Sequence, residues 1–206
     1  MRPQKLVTLD VEGVLIPEVW INLARRTGID DLLRTTRDEP NYDRLMTQRL
    51  EILEREGVNM SDLRAVLAEM GPLDGAKGFL DALRADYQVV LLSDTFEQFA
   101  SPLMAQLGHP TIFCHQLRVR GDQIVDYVLR IDDHKRRAVE AFRSLNYQVV
   151  AAGDSYNDLS MIRAANAGAL FHAPANVIAE NADLSAFDEY DRLREWIDQT
   201  DPAPGV

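Results

Sequence analysis

The sequence has a single cysteine, Cys114, and lacks any long run of apolar residues. One cysteine cannot form a disulfide within the chain, and because it ends the apolar run at residues 111–114, we predict a small buried side chain and not a nucleophile. The few apolar residues before Asp10 are too short a run for a signal peptide, and no segment could span a bilayer. The protein is therefore expected in the cytoplasm, without membrane contact.

Positive charge is also scarce. The sequence has 22 Lys and Arg residues against 33 Asp and Glu residues, which gives a formal net charge of -11. That excess argues against an extended contact with nucleic acid or an anionic membrane surface. A phosphate could bind only where a metal or a lysine reverses the charge locally. The length of 206 residues allows one full core and a small accessory unit.

Short, continuous apolar runs recur along the chain and are typical of strands buried on both faces of a parallel sheet. They lie at residues 6–9, 89–92, 111–114, 149–152 and 169–171. Helical patterns separate them, at residues 78–85, 95–107, 135–145 and 159–165. This alternation predicts an α/β fold with a doubly wound parallel sheet and right-handed crossovers.

Two stretches break the alternation. Residues 17–72 have the pattern of several short helices separated by proline and glycine, which predicts a small helical cap domain on a core of residues 1–16 and 73–206. Residues 116–131 flank Arg120-Gly121-Asp122 with apolar side chains, which predicts a β-hairpin insertion. The tail at residues 201–206 is expected to be loose.

Acidic and hydroxyl residues follow three of the predicted strands, where ligands bind in an open α/β sheet. They occur in the segments at residues 10–13, 93–95 and 153–158. If these strands are neighbours, several carboxylates converge on one spot, which is costly unless a divalent cation binds there. Hard oxygen ligands with room for water and phosphate favour Mg²⁺.

The ordered motifs resemble those of the haloacid dehalogenase superfamily over essentially the whole chain. They are Asp10-x-Glu12-Gly13-Val14, then Ser93, then Lys135, then Gly153-Asp154-x-x-x-Asp158, with a helical cap between the first two. The resemblance implies that Asp10 attacks phosphorus and forms an aspartyl-phosphate. It also implies that Glu12 protonates the leaving alkoxide and then takes a proton from the acceptor.

The resemblance further implies how the remaining motif residues act. Ser93 would hydrogen-bond the phosphoryl group, helped by amides where a helix from residue 95 begins. Lys135 would offset the charge of nucleophile and phosphate, and Asp158 would orient a metal-bound water without touching the metal. The implied Mg²⁺ ligands are Asp10, the backbone carbonyl of Glu12, and Asp154.

Most of these residues also have a structural interpretation. Acids after strands often cap turns or helices, and for Asp154 or Asp158 taken alone that interpretation is favoured. Lys135 precedes two arginines and could belong to a solvated basic helix face. It is the complete, ordered set that favours catalysis.

Longer segments resemble the bifunctional phosphoserine phosphatase/homoserine phosphotransferase family, including Pro17-Glu18, Gln48-Arg49-Leu50, residues 93–96 and residues 152–158. The resemblance implies that phosphoserine is the substrate and homoserine a possible acceptor. Glu18 would bind the substrate ammonium and Arg49 its carboxylate. The rest of the implied substrate site is Ser93, Asp94, Lys135 and Asn157.

Arg49 attracts notice independently of the resemblance. In the predicted helix at residues 42–55 it falls within the apolar stripe, not opposite it. An arginine there needs a buried partner or a ligand, and a carboxylate suits its forked donors. The alternative is an ion pair with Glu12 or Glu18, or a side chain that extends to solvent.

Glu12 departs from the superfamily pattern, because most of its phosphatases carry aspartate there. The extra methylene moves the carboxyl group by about one carbon–carbon bond length. We hypothesise that this weakens the activation of water and leaves room for a bulkier acceptor alcohol. The dehalogenases carry no acid at this position, which counts against carbon–halogen chemistry.

Three other functions compete with this interpretation. The first is a phosphatase of another small phosphate ester, and the second is a phospho-accepting receiver-like module, which would lack the cap and the acid of Glu12. The third is an inactive scaffold, which the complete catalytic set disfavours. His109, His115 and His134 show no ligand spacing, so no zinc site is predicted, whereas His172 could line the crevice.

Overall fold

The computed structural model describes residues 4–35, 38–39 and 41–200. The described part contains one sheet with the strand order β4-β3-β2-β1-β5-β6-β7, in which every neighbouring pair is parallel except β3 and β4. The strands are β1 Lys5–Leu9, β2 Gln88–Phe96, β3 Thr111–Arg120, β4 Gln123–Val128, β5 Gln148–Gly153, β6 Ala167–Phe171 and β7 Ser185–Phe187.

Nine α-helices accompany the sheet in the same residues. They are α1 Val19–Thr27, α2 Tyr42–Glu56, α3 Met60–Glu69, α4 Ala76–Asp86, α5 Glu97–Gln106, α6 His134–Ser144, α7 Leu159–Ala164, α8 Ala175–Glu180 and α9 Tyr190–Gln199. Short 3-10 helices lie at Asp30–Leu33 and Tyr156–Asp158. Of the helices in these ranges, none combines the length and the apolarity needed to cross a membrane.

Alternation along β1 shows how the sheet is covered on both faces. Val7 and Leu9 belong to a large core cluster with residues of α1, α4 and α5, whereas Leu6 belongs to a second cluster with residues of α6 and α7. Successive side chains of a strand point to opposite faces, so these two clusters are the two sides of the sheet. The predicted doubly wound α/β fold is confirmed, and both faces are apolar.

The structure also corrects several boundaries. Residues 111–114 and the first arm of the predicted hairpin form one continuous strand, β3, which pairs with β2 on one side and with β4 on the other. The strand β7 and the helices α8 and α9 were not predicted. The prediction of a helix from residue 95 is wrong, because β2 continues to Phe96 and α5 begins at Glu97.

The helices α1, α2 and α3, called the helical insertion below, lie between β1 and β2 in the chain. Local capping fixes their limits: the Asn41 side chain accepts from the Arg44 amide at the start of α2, and Asn59 with Asp62 forms a capping box at the start of α3. Gly57 ends α2 in the left-handed conformation with φ 68°. The long connection therefore folds as a chain of discrete helices beside the sheet.

The hairpin of β3 and β4 contacts the helical insertion directly. The Tyr127 hydroxyl donates to Oδ1 of Asp43 at 2.5 Å, and the Ser61 hydroxyl donates to Oδ2 of Asp122 at 2.6 Å. The amide of Met60 donates to the carbonyl of Asp122 at 2.8 Å. The edge of the sheet and the insertion are thus joined at two separate places.

Candidate active site

Three carboxylates meet at the carboxyl ends of two neighbouring strands. Asp10 directly follows β1 and Asp154 directly follows β5, and these strands pair in register from Lys5 opposite Gln148 onward. Together with Asp158, they each offer a carboxylate oxygen within 4.8 Å of the others, and all three residues are buried. The convergence expected from the strand ends is present.

Lys135 is the cation that faces this group. Its Nζ lies 2.9 Å from Oδ1 of Asp10, 2.8 Å from Oδ1 of Asp158 and 3.1 Å from Oδ2 of Asp94. Its side chain is only 3% exposed, so it does not belong to a solvated basic face. It reaches the site because it is the second residue of α6, which begins near the ends of the strands.

One lysine does not balance the negative charge around it. Burial, and then the charge of Asp158, raises the pKa of Asp10 well above its ordinary value. The same two causes raise the pKa of Asp154 to about 7. Burial alone would lower the pKa of Lys135, but the charges of Asp10, Asp158 and Asp94 outweigh it and raise that pKa well above normal.

The residues present therefore fit a divalent cation. The uncompensated carboxylates are hard oxygen donors held close together, which is the donor set that Mg²⁺ prefers. Both oxygens of Asp158 already accept from the chain: Oδ1 from Lys135, and Oδ2 from the amides of Asp154 and Ser155. This leaves Asp10 and Asp154 as the carboxylates better placed to ligate a cation.

Two glycines permit this crowding. A Cβ atom at Gly13, which has φ 78°, would lie 2.6 Å from Oδ2 of Asp154. A Cβ atom at Gly153 would lie 2.4 Å from Cγ of Asp158. At both places the Cβ atom of any residue other than glycine would collide with a carboxylate.

The carboxylates open into a cavity of about 250 Å³ beside the helical insertion. Every residue assigned to the site from the sequence lines it except Asp158, which touches it through Lys135. His172, expected to line the crevice, also lines this cavity. The sequence-assigned lining residues are Asp10, Glu12, Glu18, Arg49, Ser93, Asp94, Lys135, Asp154 and Asn157.

The two glutamates lie at the start of α1. Oε2 of Glu12 accepts the amide of Val19, the first residue of that helix, at 2.9 Å. Glu18 occupies the position just before the helix. A carboxylate is favourable at a helix N-terminus, so part of the role of Glu12 is to fix the entry of the helical insertion beside the nucleophile.

Arg49 is buried on the inner face of α2, as its place in the apolar stripe predicts. Its Nη2 donates to the carbonyl of Arg34 at 2.8 Å, and its buried Nε has no hydrogen-bond partner. Burial lowers its pKa to about 10, although Tyr42, Glu12 and Glu18 oppose that shift. Among the described residues, no acid lies within ion-pair distance of it, so the expected alternative of a structural ion pair is wrong.

Asp94 is surrounded by donors. Asn157 Nδ2 donates to its Oδ2 at 2.7 Å, and Nε2 of His134 and of His115 lie 3.1 Å and 3.4 Å from its Oδ1. Burial alone would raise the pKa of Asp94, but Lys135 and the two imidazoles hold it well below its ordinary value. Asp94 is therefore a fixed carboxylate anion.

The two histidines come together although their sequence spacing shows no pattern. The amide of Arg130 donates to Nδ1 of His115 at 3.2 Å, so the proton of the neutral ring lies on Nε2 and points to Asp94. A metal held by Asp94, His115 and His134 would need the lone pair that this tautomer lacks at Nε2 of His115. The arrangement is a hydrogen-bonded support for Asp94.

Sequence reasoning missed further residues of the cavity. Thr95 lines it with a buried hydroxyl that has no partner, and Tyr42 donates its hydroxyl to the Asp94 carbonyl at 3.0 Å. Trp20 also lines the cavity and lies against Arg49. For Thr95 the signal was present, since it follows Ser93 and Asp94 at a strand end. Tyr42 and Trp20 looked like ordinary core residues of apolar helix faces.

A family model decides the assignment. The model described as haloacid dehalogenase-like hydrolase matches residues 8–163, which include all the residues assigned to the site. This chain belongs to the haloacid dehalogenase-like hydrolase family. The resemblance inferred from the ordered motifs is thereby confirmed at the level of the family.

Curated relatives of the family member are similar over nearly the whole chain. This chain is 53% identical over 191 residues to a protein of Pseudomonas aeruginosa named phosphoserine phosphatase ThrH. The matched region covers 92% of this chain and 93% of that protein. The chain is 52% identical over 192 residues to a phosphoserine phosphatase of Pseudomonas syringae pv. tomato, covering 93% of this chain and 81% of that one.

Solved structures share the fold of this hydrolase family member at low sequence identity. A phosphoserine phosphatase in its apo form has a TM-score of 0.78 at 21% identity and covers 96% of this chain and 100% of its own. A structure described as a phospho-aspartyl intermediate analogue of phosphoserine phosphatase has the same TM-score and identity, with 95% and 98% covered. The predicted fold class is confirmed by these neighbours.

Proposed function

We propose that the protein is a magnesium-dependent phosphoserine phosphatase that can also transfer the phosphoryl group to homoserine. The observation that carries this proposal is the position of Arg49. Within the described residues no acid pairs with this buried guanidinium, which lines the same cavity as Asp10, so the cavity offers a carboxylate site beside a nucleophile. The names of the relatives support the same substrate.

Mg²⁺ would be held by Asp10, the backbone carbonyl of Glu12, and Asp154. When bound, it supplies positive charge that neutralises the clustered carboxylates and the phosphoryl oxygens. Asp158 would act from outside the ligand set, because its oxygens are occupied by Lys135 and by two backbone amides.

In the first half-reaction, a carboxylate oxygen of Asp10 attacks phosphorus and the bond from phosphorus to the serine oxygen breaks. Glu12 donates a proton to that leaving oxygen, so serine departs neutral at its hydroxyl and an aspartyl-phosphate remains. Ser93 hydrogen-bonds the phosphoryl group. Lys135 holds Oδ1 of Asp10 and offsets the charge that gathers around the transferring group.

In the second half-reaction, Glu12 takes a proton from the incoming acceptor. The acceptor oxygen attacks phosphorus, the bond from phosphorus to the Asp10 oxygen breaks, and the free carboxylate is restored. Water as acceptor gives inorganic phosphate, and the hydroxyl of homoserine gives phosphohomoserine. Both routes use the same residues, so the acceptor is selected by what fits beside Glu12.

The amino-acid part of the substrate is proposed to lie against the helical insertion. Glu18 binds the ammonium group and Arg49 the carboxylate, and both residues line the cavity that contains Asp10. Asn157 and Asp94, hydrogen-bonded to each other at 2.7 Å, complete the site with Ser93 and Lys135. Residues 17–72 would then act as a cap domain that contributes the specificity, on a core of residues 1–16 and 73–206.

In the test, the purified protein is incubated with phosphoserine and Mg²⁺, with and without homoserine. The variant Asp10→Asn is assayed in the same way for comparison. We expect release of serine, formation of phosphohomoserine only when homoserine is present, and near-complete loss of both in the variant. Serine release without phosphohomoserine would remove the transferase part. Turnover of other phosphate esters but not of phosphoserine would contradict the assigned substrate and leave the assigned reaction class intact.

A further inference from the structure

The Arg49 guanidinium lies over the ring of Trp20. The guanidinium carbon lies 4.4 Å from the centre of the Trp20 ring, and the two residues are 7% and 6% exposed. They come from different helices, α2 and α1, and both line the cavity that contains Asp10. The contact is a cation–π pair withdrawn from water, where such pairs are strongest.

The other neighbours of Arg49 leave much of its hydrogen-bonding capacity unused. One contact is the carbonyl of Arg34, and another is the Met46 sulfur, 3.8 Å from Nη1. Neither neutralises the charge, and in the part of the chain that the structure describes Nε has no partner. A buried cation is normally held by an acid, so an aromatic face in that place calls for an explanation.

The geometry points to Trp20 as a positioning and specificity-determining residue, which aims Arg49 at the carboxylate of the substrate. This inference rests on the proposed function, in which Arg49 binds that carboxylate. The indole of a tryptophan has no hydrogen-bond acceptor, because its ring nitrogen is a donor only. Trp20 therefore stabilises the buried cation and leaves its donors free, while an acid in its place would compete with the substrate.

Trp20 also links Arg49 to the core of the sheet. Its ring packs edge-on against Phe99, with 5.7 Å between the ring centres. Phe99 packs edge-on against Phe96, with 5.5 Å between the ring centres. Phe96 is the last residue of β2, the strand that carries Ser93. Aromatic contacts thus run from the proposed carboxylate site on the helical insertion to the strand that bears the proposed phosphate site. This packing sets the spacing between the proposed carboxylate site and the proposed phosphate site.

The test compares phosphoserine with phosphoethanolamine, which has the same phosphate and ammonium groups but no carboxylate. In Trp20→Leu, we expect kcat/KM for phosphoserine to fall about tenfold through KM, with a much smaller loss for phosphoethanolamine. Trp20→Phe, which keeps a smaller ring, should recover part of the loss. In an Arg49→Met background, Trp20→Leu should cost phosphoserine little more, because the two residues act as a pair.

Trp196→Leu is the matched control, since it removes the other tryptophan, which packs against Phe187 away from the cavity. It should leave the ratio between the two substrates unchanged. An equal loss for both substrates in Trp20→Leu, or a full further loss in the Arg49→Met background, would overturn the inference. If wild type and Arg49→Met each have the same kcat/KM for phosphoserine as for phosphoethanolamine, the proposed carboxylate site is contradicted. This inference is then contradicted with it.

Discussion

Nζ of Lys135 lies 2.9 Å from Oδ1 of Asp10, and both side chains are almost completely buried. The contact orients the carboxylate of the proposed nucleophile. It also makes the lysine the one described cation within ion-pair distance of Asp10 and Asp158.

Replacing Lys135 should therefore damage stability as well as activity. In Lys135→Met, three carboxylates lose a shared partner, and leaving a buried charge unpaired costs about 3–5 kcal/mol. We expect a much lower Tm without metal, partial recovery with Mg²⁺, and near-complete loss of phosphoserine turnover. Lys135→Arg, which keeps the charge, should be the less destabilised variant in thermal unfolding. Equal Tm values for the two variants would contradict the charge argument.

Gly13→Ala should weaken metal binding by crowding Asp154. The new Cβ would lie 2.6 Å from the Asp154 carboxylate, in addition to the strain of φ 78°. Gly28→Ala is the control, because Gly28 has φ 70° with nothing within 4 Å of its Cβ position. Each variant should lose about 1 kcal/mol from the left-handed conformation. Only Gly13→Ala should lower Mg²⁺ affinity in calorimetry, and similar affinities for both would refute the prediction.

The metal-free protein should become less stable as the pH rises from about 4 to about 7. The pKa of Asp154 is raised from 3.8 to about 7, so in that window the folded state binds more protons than the unfolded state. A raised acid pKa stabilises at low pH, and that contribution is lost as the pH passes the folded pKa; its upper bound is about 4 kcal/mol. Mg²⁺ should remove this loss, because it compensates the ionised carboxylates.

His134 works in the opposite direction, since burial lowers its pKa and its ionisation costs stability at low pH. The comparison that isolates Asp154 is therefore the variant Asp154→Asn, measured by urea unfolding at several pH values without metal. The variant should lose stability less steeply than wild type between pH about 5 and about 7. Parallel curves for the two proteins would show that Asp154 titrates normally.

His115 offers a pair of substitutions that separates its two nitrogens. His115→Gln keeps a donor near the position of Nε2, which faces Asp94, and His115→Asn keeps an acceptor near Nδ1, which faces the Arg130 amide. Each loses one buried hydrogen bond, so each should lose about 1–3 kcal/mol of stability. If the support of Asp94 matters for turnover, the Gln variant keeps the higher kcat; equal kcat values argue for a structural role alone.

Glu12→Asp tests the choice of acceptor. The shorter side chain draws the carboxylate back toward the backbone, and its contact with the Val19 amide at 2.9 Å would have to adjust. We expect the ratio of inorganic phosphate release to phosphohomoserine formation to rise, because water would be activated better and the alcohol less well. The measurement is the ratio of phosphate to phosphohomoserine formed at a fixed homoserine concentration. An unchanged ratio would contradict the hypothesis.

The elements predicted well from sequence are those whose signal is local. The apolar runs of β1 and β5 are buried on both faces, and the acids that follow them identify the strand ends. Of the three residues of β7, two are exposed and only Phe187 is partly buried, and they form no apolar run, so they lacked that signal. The end of β2 was misjudged because Ser93 to Phe96 mixes polar and apolar residues, which suits a helix start as well as a strand.

The residues that carry a motif were assigned to the site from the sequence, whereas the contacts that only the fold creates were not predicted. Asp10 and Asp154 stand at strand ends, where the order of the sheet brings them together. His115 and Asp94 meet because β3 lies beside β2, and no spacing between their positions in the chain expresses that contact. Trp20 and Arg49 meet through the packing of two helices of the insertion, which periodicity identifies only as buried faces.

The two attachments between the β3–β4 hairpin and the helical insertion limit how substrate can enter. A swing of α2 and α3 away from the strand ends must either break the bonds at Asp43 and Asp122 or take the hairpin with it. Because β3 pairs with β2 on both sides of the irregularity between Leu92 and Phe96 of β2, the second course would disturb that pairing next to Ser93 and Asp94. Under the proposed function, admission of the substrate and alignment of its phosphate would therefore be mechanically coupled.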